Sequence, residues 1–348
     1  GSDQSIDLTG WTLSDGIDST TPYTFSGETI GAGDYLVIEC TNSSVKQGAG
    51  IAPFSISASG ETLVLKNAEG TLVDAFDSGV LTPEITSGRL EGDTTTARVF
   101  FQNPTRDTEN DTDITTGVSP QPTFSDLTLY HSSAFSVTIS CDDPNAEIYY
   151  TTDGDEPSLE SKKYTEPVQI SENTPLRAVS YISGRQLSEI TTATYLFEEP
   201  HTVPVICING NPDSVQEVLR VDDKFNKIER PAYISFYEAD GTLGVSFPAG
   251  IKPKGAGTII YSQKSLSINL RAGYGQSKVT YPFFPGYEFD TFSALVVRNG
   301  GQDWSAARIR DAFTNNLVEG MNLDNSASRP VVVYINGKYN GLYDLNEE

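Results

Sequence analysis

Residues 333–347 read Val333-Tyr334-Ile335-Asn336-Gly337-Lys338-Tyr339-Asn340-Gly341-Leu342-Tyr343-Asp344-Leu345-Asn346-Glu347. Two alternating strands, residues 331–335 and 339–345, flank an Asn-Gly pair, the strongest short-range hairpin signal because both turn positions need positive φ. Working back from this hairpin, residues 306–318 carry Ile309, Phe313 and Leu317 four apart. That spacing predicts a helix with one apolar face, with Ser305 as N-cap and Gly320 as its stop. No other helix is expected. Further strands are read at residues 204–208, 230–238, 245–247, 261–271 and 292–300, with a turn opened by Gly241. Residues 250–257 read as a turn, which places Lys252 and Lys254 in solvent. Residues 200–348 are therefore expected to be an α+β unit.

Residues 1–199 differ in kind. Residues 1–106 alternate in short runs such as Trp11-Thr12-Leu13 and Glu61-Thr62-Leu63-Val64-Leu65, broken by Ser14-Asp15-Gly16 and Asn67-Ala68-Glu69-Gly70. Short alternating strands punctuated by turn residues imply a β-sandwich, and Trp11 is expected in its core. An acidic stretch follows at 107–123, where Asp107, Glu109, Asp111 and Asp113 precede Pro120 and Pro122. It lacks the Asp-x-Asp-x-Asp-Gly loop with a closing Glu that calcium requires, so it reads as a linker. Residues 124–199 are again β, with a tight turn at Asp153-Gly154. The expected division is 1–118, 119–199 and 200–348, and the expected class is a mainly β, multidomain chain of two Ig-like sandwiches followed by the α+β unit.

Charge follows the same division. The 348 residues carry a net charge of −24. Residues 1–118 hold 18 acids and 5 bases, residues 119–199 hold 13 and 4, and residues 200–348 hold 16 and 14. An acidic front of this kind repels phosphate polymers, so no nucleic-acid partner is expected. No apolar run approaches the ~20 residues needed to span a bilayer. Gly1-Ser2 reads as an expression scar, so the missing leader does not argue for a cytoplasmic location. Cys40, Cys141 and Cys207 are too far apart for a disulfide framework or a Cys-x-x-Cys metal site. The two histidines, His131 and His201, sit in no catalytic or zinc motif and are expected to be loop residues. No metal-ligating set and no catalytic residue is selected by the sequence.

Three resemblances are carried by ordered words. Asp7-Leu8-Thr9-Gly10-Trp11-Thr12-Leu13-Ser14-Asp15, Gly33-Asp34-Tyr35-Leu36-Val37-Ile38 and Ser59-Gly60-Glu61-Thr62-Leu63 resemble the lamin-tail domain. Ile148-Tyr149-Tyr150-Thr151-Thr152-Asp153-Gly154, with Tyr164-Thr165-Glu166-Pro167 and Leu176-Arg177-Ala178, resembles the small sandwich at the C-terminus of chitobiases and hexosaminidases, an accessory module without catalytic residues. Gln263-Lys264-Ser265, then Leu295-Val296-Val297-Arg298-Asn299-Gly300 leading to Ile309-Arg310-Asp311, then the closing hairpin, resemble the front of the CotH family.

The last resemblance implies an atypical kinase, secreted or on the cell surface, that uses ATP and a divalent metal such as Mg. It also implies that residues 200–348 are a nucleotide-facing N-terminal lobe whose catalytic acids lie beyond Glu348, so that this fragment is expected to be inactive and to hold no cofactor tightly. Lys264 becomes the candidate phosphate contact, since phosphoryl transfer needs a fixed cation against developing charge. Alternation puts Lys264 with Leu266 on one face and Gln263 with Ser265 on the other. Arg298, Arg308 and Arg310 are further candidates, Arg308 and Arg310 on different helix faces, and Gly255 and Gly257 offer a turn near phosphate. The competing reading is a non-catalytic surface protein for adhesion or glycan binding. A glycoside hydrolase would need a placed carboxylate pair that no feature selects, and the protein substrate or extracellular partner is not legible.

Overall fold

The computed structural model describes residues 4–41, 48–57, 60–81, 85–90, 98–101, 104–110, 114–115, 117–318, 321 and 326–348. Ser59, Asp111, Asp113 and Gly320, read above as parts of motifs, lie outside them. The chain is mainly β and forms two compact units. One is Gly1–Val118 with Gly184–Gln186; the other comprises Ser119–Ser183 and Leu187–Glu348.

In the first unit, strands Tyr23–Thr24, Thr12–Ser14, Thr62–Lys66 and Leu72–Asp77 form one antiparallel sheet in that order. Thr86–Gly88, Val99–Phe101 and Ile114–Thr115 form another. Leu8, Tyr23, Phe25, Ala52 and Phe54 make the core, and Trp11 packs against it as expected. The turn at Asn67 closes through the Asn67 and Thr71 main chains at 2.9 Å.

In the second unit, Lys162–Lys163, Glu147–Thr151, Thr174–Tyr181 and Thr191–Tyr195 form a four-stranded antiparallel sheet. Val137, Ile139, Tyr150, Ile170, Leu176 and Tyr195 fill the sandwich on one face of it. A solvated sheet would leave the opposite face polar and open. Here Arg177, Val179, Thr192 and Thr194 on that opposite face are buried too, because the rest of the unit lies against it.

That remainder is a closed barrel. Its strands are β1 (Val205–Asn209), β2 (Arg230–Tyr237), β3 (Leu243–Lys254), β4 (Ser265–Asn269), β5 (Ala294–Arg298), β6 (Ser328–Ile335) and β7 (Lys338–Glu347). The order around the barrel is β1-β2-β3-β4-β5-β7-β6, antiparallel throughout except where β6 closes in parallel onto β1. Period-two alternation sends Ile206, Ile208, Leu266, Ile268, Val297 and Leu345 inward. The neighbours Val205, Cys207, Val332 and Tyr334 point outward and join Tyr237 with Leu129 and Leu196 of the sandwich in a separate core. The β6–β7 hairpin turns on Asn336 and Gly337, with φ of 48° and 73°.

Among the described residues two α-helices belong to this unit, not the single one expected. Helix α1 (Pro212–Arg220) lies between β1 and β2, where Asn211 caps Ser214 N–H at 3.0 Å and Val215 and Val218 are buried in the barrel core. Helix α2 runs Arg310–Leu317, starting well after Ser305. Residues 304–307 are turns, and Arg308 has a φ of +63°, which no helix continues through. The expected apolar stripe is not buried: Ile309, Phe313 and Leu317 are 59%, 58% and 59% exposed. Lys252 and Lys254 also differ from expectation, since β3 runs through both. Among the described residues no helix is long and apolar enough to cross a membrane. All three cysteines are free.

Candidate functional site

The three words that stand apart in sequence meet at one end of β4 and β5. The Asn299 side chain is completely buried and ties them. Its Nδ2 donates to the Gln263 carbonyl at 2.6 Å, and its Oδ1 accepts from Ser265 Oγ at 2.9 Å and from Gly301 N–H at 3.0 Å. Its own N–H donates to Ser265 Oγ at 3.0 Å. Gln263 in turn donates to the Leu342 carbonyl at 2.8 Å. A Cβ at Gly341, whose φ is +125°, would lie 2.7 Å from Gln263 Nε2, so glycine lets the closing strand come close enough for that bond.

Lys264 is placed by this framework. Asn299 holds the Gln263 main-chain carbonyl and Ser265 Oγ, and Lys264 lies between these two anchors, just ahead of β4. Leu266 enters the barrel core. Lys264, at the strand's lip, is only 5% exposed, and its ammonium donates to the Ile259 carbonyl in the 3-10 turn Gly257–Ile260. Among the described residues it forms no ion pair, and the acid whose field reaches it is Asp222. Desolvation pulls its pKa below the ordinary lysine value, with Asp222 opposing. The turn above it is entered through Gly255, with φ +106°, and the position of a Cβ at Gly257 meets nothing within 4 Å.

The three arginines are not gathered around Lys264. Arg298 pairs with Asp311. Arg310 pairs with the buried Asp303 at 3.0 Å, and among the described residues Asp303 Oδ2 has no hydrogen-bond partner. Arg308, outside the helix, donates to the Leu342 carbonyl and reaches Asn299 O and Gln263 Oε1 at 3.4 Å each. The expectation that Arg308 and Arg310 occupy two faces of one helix is corrected accordingly. Arg298 and Arg308 both act on Asp344, whose pKa is nonetheless raised because burial outweighs them. Lys254 pairs with Glu348, which also accepts from Ser267 Oγ at 2.6 Å.

Asn299, Asp344 and Glu348 were not singled out from the sequence. Asn299 had a usable signal, a polar residue ending an apolar strand just before two glycines. The other two had none. Among the described residues no group of three or more His, Cys, Asp or Glu is placed to hold a metal ion. His131 stacks on Phe135 with ring centres 3.7 Å apart, and His201 Nε2 lies 2.8 Å from Tyr334 Oη; neither belongs to the Lys264 framework.

Fold and site thus define a multidomain β protein whose C-terminal barrel holds a buried lysine framed by three sequence words. Comparison with protein families identifies these segments. Residues 251–348 match the CotH kinase protein family, residues 1–79 the Lamin Tail Domain, and residues 137–195 a family described as Fn3 associated. The second sandwich is therefore matched as an Fn3-associated module, while its chitobiase-type resemblance stays an expectation. No curated protein matches the chain. Among solved structures, murine CEACAM1b is similar at 9% identity over 56% of this chain and 94% of that one, with a TM-score of 0.16, too low to bear on the fold.

Proposed function

We propose that residues 200–348 form the nucleotide-facing lobe of an atypical ATP-dependent protein kinase of the CotH type, working at the cell surface or outside the cell, with Lys264 as its phosphate contact. The observation that carries this reading is the buried ammonium of Lys264, which bonds to the Ile259 carbonyl and among the described residues forms no ion pair. A buried cation is costly unless it meets an anion, and a single main-chain carbonyl is a weak partner for one. A nucleotide phosphate supplies the missing charge, and charge-assisted contacts of this kind are the strong ones. The match to the CotH kinase family over 251–348 supports the same ligand class. Gly255 and Gly257 bring main chain close to that charge. Arg298 and Arg310 already hold acids and Arg308 holds main-chain carbonyls, so in this reading none of the three joins Lys264 at the phosphate. The residues present fit a phosphate; they offer no ligand cluster for the divalent metal, and no step is assigned to one.

Calorimetric titration of the chain with ATP, ADP and inorganic triphosphate tests the reading. Binding is expected, and Lys264→Met should weaken it by roughly tenfold to a hundredfold, the range set by losing one hydrogen bond to a charged group. An unchanged dissociation constant in a folded Lys264→Met protein would remove Lys264 from the site. Failure of the wild-type chain to bind any of the three would favour the adhesion reading.

A further inference from the structure

The ammonium of Lys264 lies just beneath the surface, under a single turn of chain. That turn, Gly257–Ile260, belongs to no sheet and leaves β3 through Gly255, whose positive φ of 106° marks a conformation few residues other than glycine adopt. Of its two isoleucines, Ile259 is buried and Ile260 is 68% exposed. The turn is fastened to its surroundings at two points. The Ile259 carbonyl accepts from Lys264, and the Tyr261 ring lies 5.2 Å from that of Trp304 at 32°, while the Tyr261 N–H closes the turn on its own Thr258 carbonyl at 3.2 Å. Trp304 follows the 3-10 turn Gly301–Asp303, which Asn299 fixes through the Gly301 N–H.

We infer that Gly257–Ile260, pivoting at Gly255, is a lid over Lys264, held shut by the Tyr261–Trp304 ring contact and the Ile259 carbonyl, and that it lifts to admit a phosphate-bearing ligand. Lys264 is 5% exposed beneath this turn, with the Ile259 carbonyl taking one of its three N–H donors, so a ligand that is to touch the ammonium must displace the turn. What the lid admits rests on the nucleotide reading; that it opens does not. Lifting exposes Ile259 and frees the lysine, so the closed state is favoured without ligand and the open state is the minor one. Trp304 sits at the fastening and not at the ammonium, so changing it loosens the lid without removing the cation.

Lysine acylation followed by mass spectrometry reads the lid directly. In the wild-type chain Lys264 should be acylated far more slowly than the exposed Lys338 and Lys163. Trp304→Ala should speed Lys264 at least tenfold while leaving the other two unchanged. Tyr261→Leu, which breaks the same contact from the lid side, should act alike and guards against a folding defect in either variant. Lys264 labelling as fast as Lys338 in the wild type, or an unchanged rate in both folded variants, would overturn the lid. Adding ATP to Trp304→Ala separates the two proposals: protection of Lys264 supports both, while fast labelling that ATP does not slow keeps the lid and removes the nucleotide.

Discussion

Asn299 uses every polar atom of its side chain, on the buried Ser265 hydroxyl and Gly301 N–H and on the carbonyl of the half-buried Gln263. Asn299→Ala strands the Gln263 carbonyl and the Gly301 N–H. At about 1–3 kcal/mol for each buried unsatisfied group, the loss should be roughly 2–4 kcal/mol, measured as a lower midpoint in urea. The same residue holds the words around Lys264 together, so nucleotide binding should weaken along with stability. Asp344 makes the opposite case. Burial raises its carboxyl pKa above the ordinary aspartate value despite Arg308 and Arg298. An acid that holds its proton more tightly when folded stabilises while protonated and loses that contribution as pH rises from its unfolded pKa through the higher folded one. Asp344→Asn should therefore match the wild type near pH 3 and become more heat-stable than it by pH 7. A difference in melting temperature that stays constant across that interval would contradict the assignment.

At the scale of elements, α1 is the informative one. Its cap is bound twice, Asn211 Oδ1 accepting from Ser214 N–H and Nδ2 donating to Asp155 at 2.9 Å. Asn211→Ala should cost at least about 1 kcal/mol by the ordinary value of a cap, seen as a lower melting temperature. The start signal for this helix was present, an Asn followed by Pro at the first helical position and an acid in the first turn. It was obscured because Asn-Pro also punctuates loops, and because nine residues give periodicity too little length to show. The hairpin at Asn336-Gly337 was legible since its requirement is local. Helix α2 was only half legible. The spacing of Ile309, Phe313 and Leu317 indicates a stripe but cannot say whether anything covers it. The start is set by Arg308, whose guanidinium is drawn to Leu342, 34 residues further on. Asn299 stood out by its place at the end of an apolar strand, but its partners did not, being brought to it by the barrel.

On the scale of the whole molecule, β1 and strand Thr174–Tyr181 are buried on both faces, or very nearly so, and the sandwich and barrel share the core around Leu129 and Leu196. Leu129 is fully buried there. Leu129→Ala, a change within the sandwich, should cost about 2–5 kcal/mol as a large-to-small core substitution. The loss should appear in the barrel as faster amide exchange along β1 and β6, while a spacer module would leave those strands untouched. The same seam sets terms for heredity. A Cβ at Gly154, where φ is +95°, would fall 2.2 Å from the Asn336 amide oxygen, and one at Gly337 would fall 3.2 Å from the Asn173 carbonyl. Each module has thus been trimmed to its neighbour's contour. Recombination that brings in a foreign sandwich imports side chains where the barrel tolerates none, so lineages should pass on residues 119–348 as one cassette, and builders of chimaeras should cut ahead of residue 119 and not at the visible sequence boundary near 200.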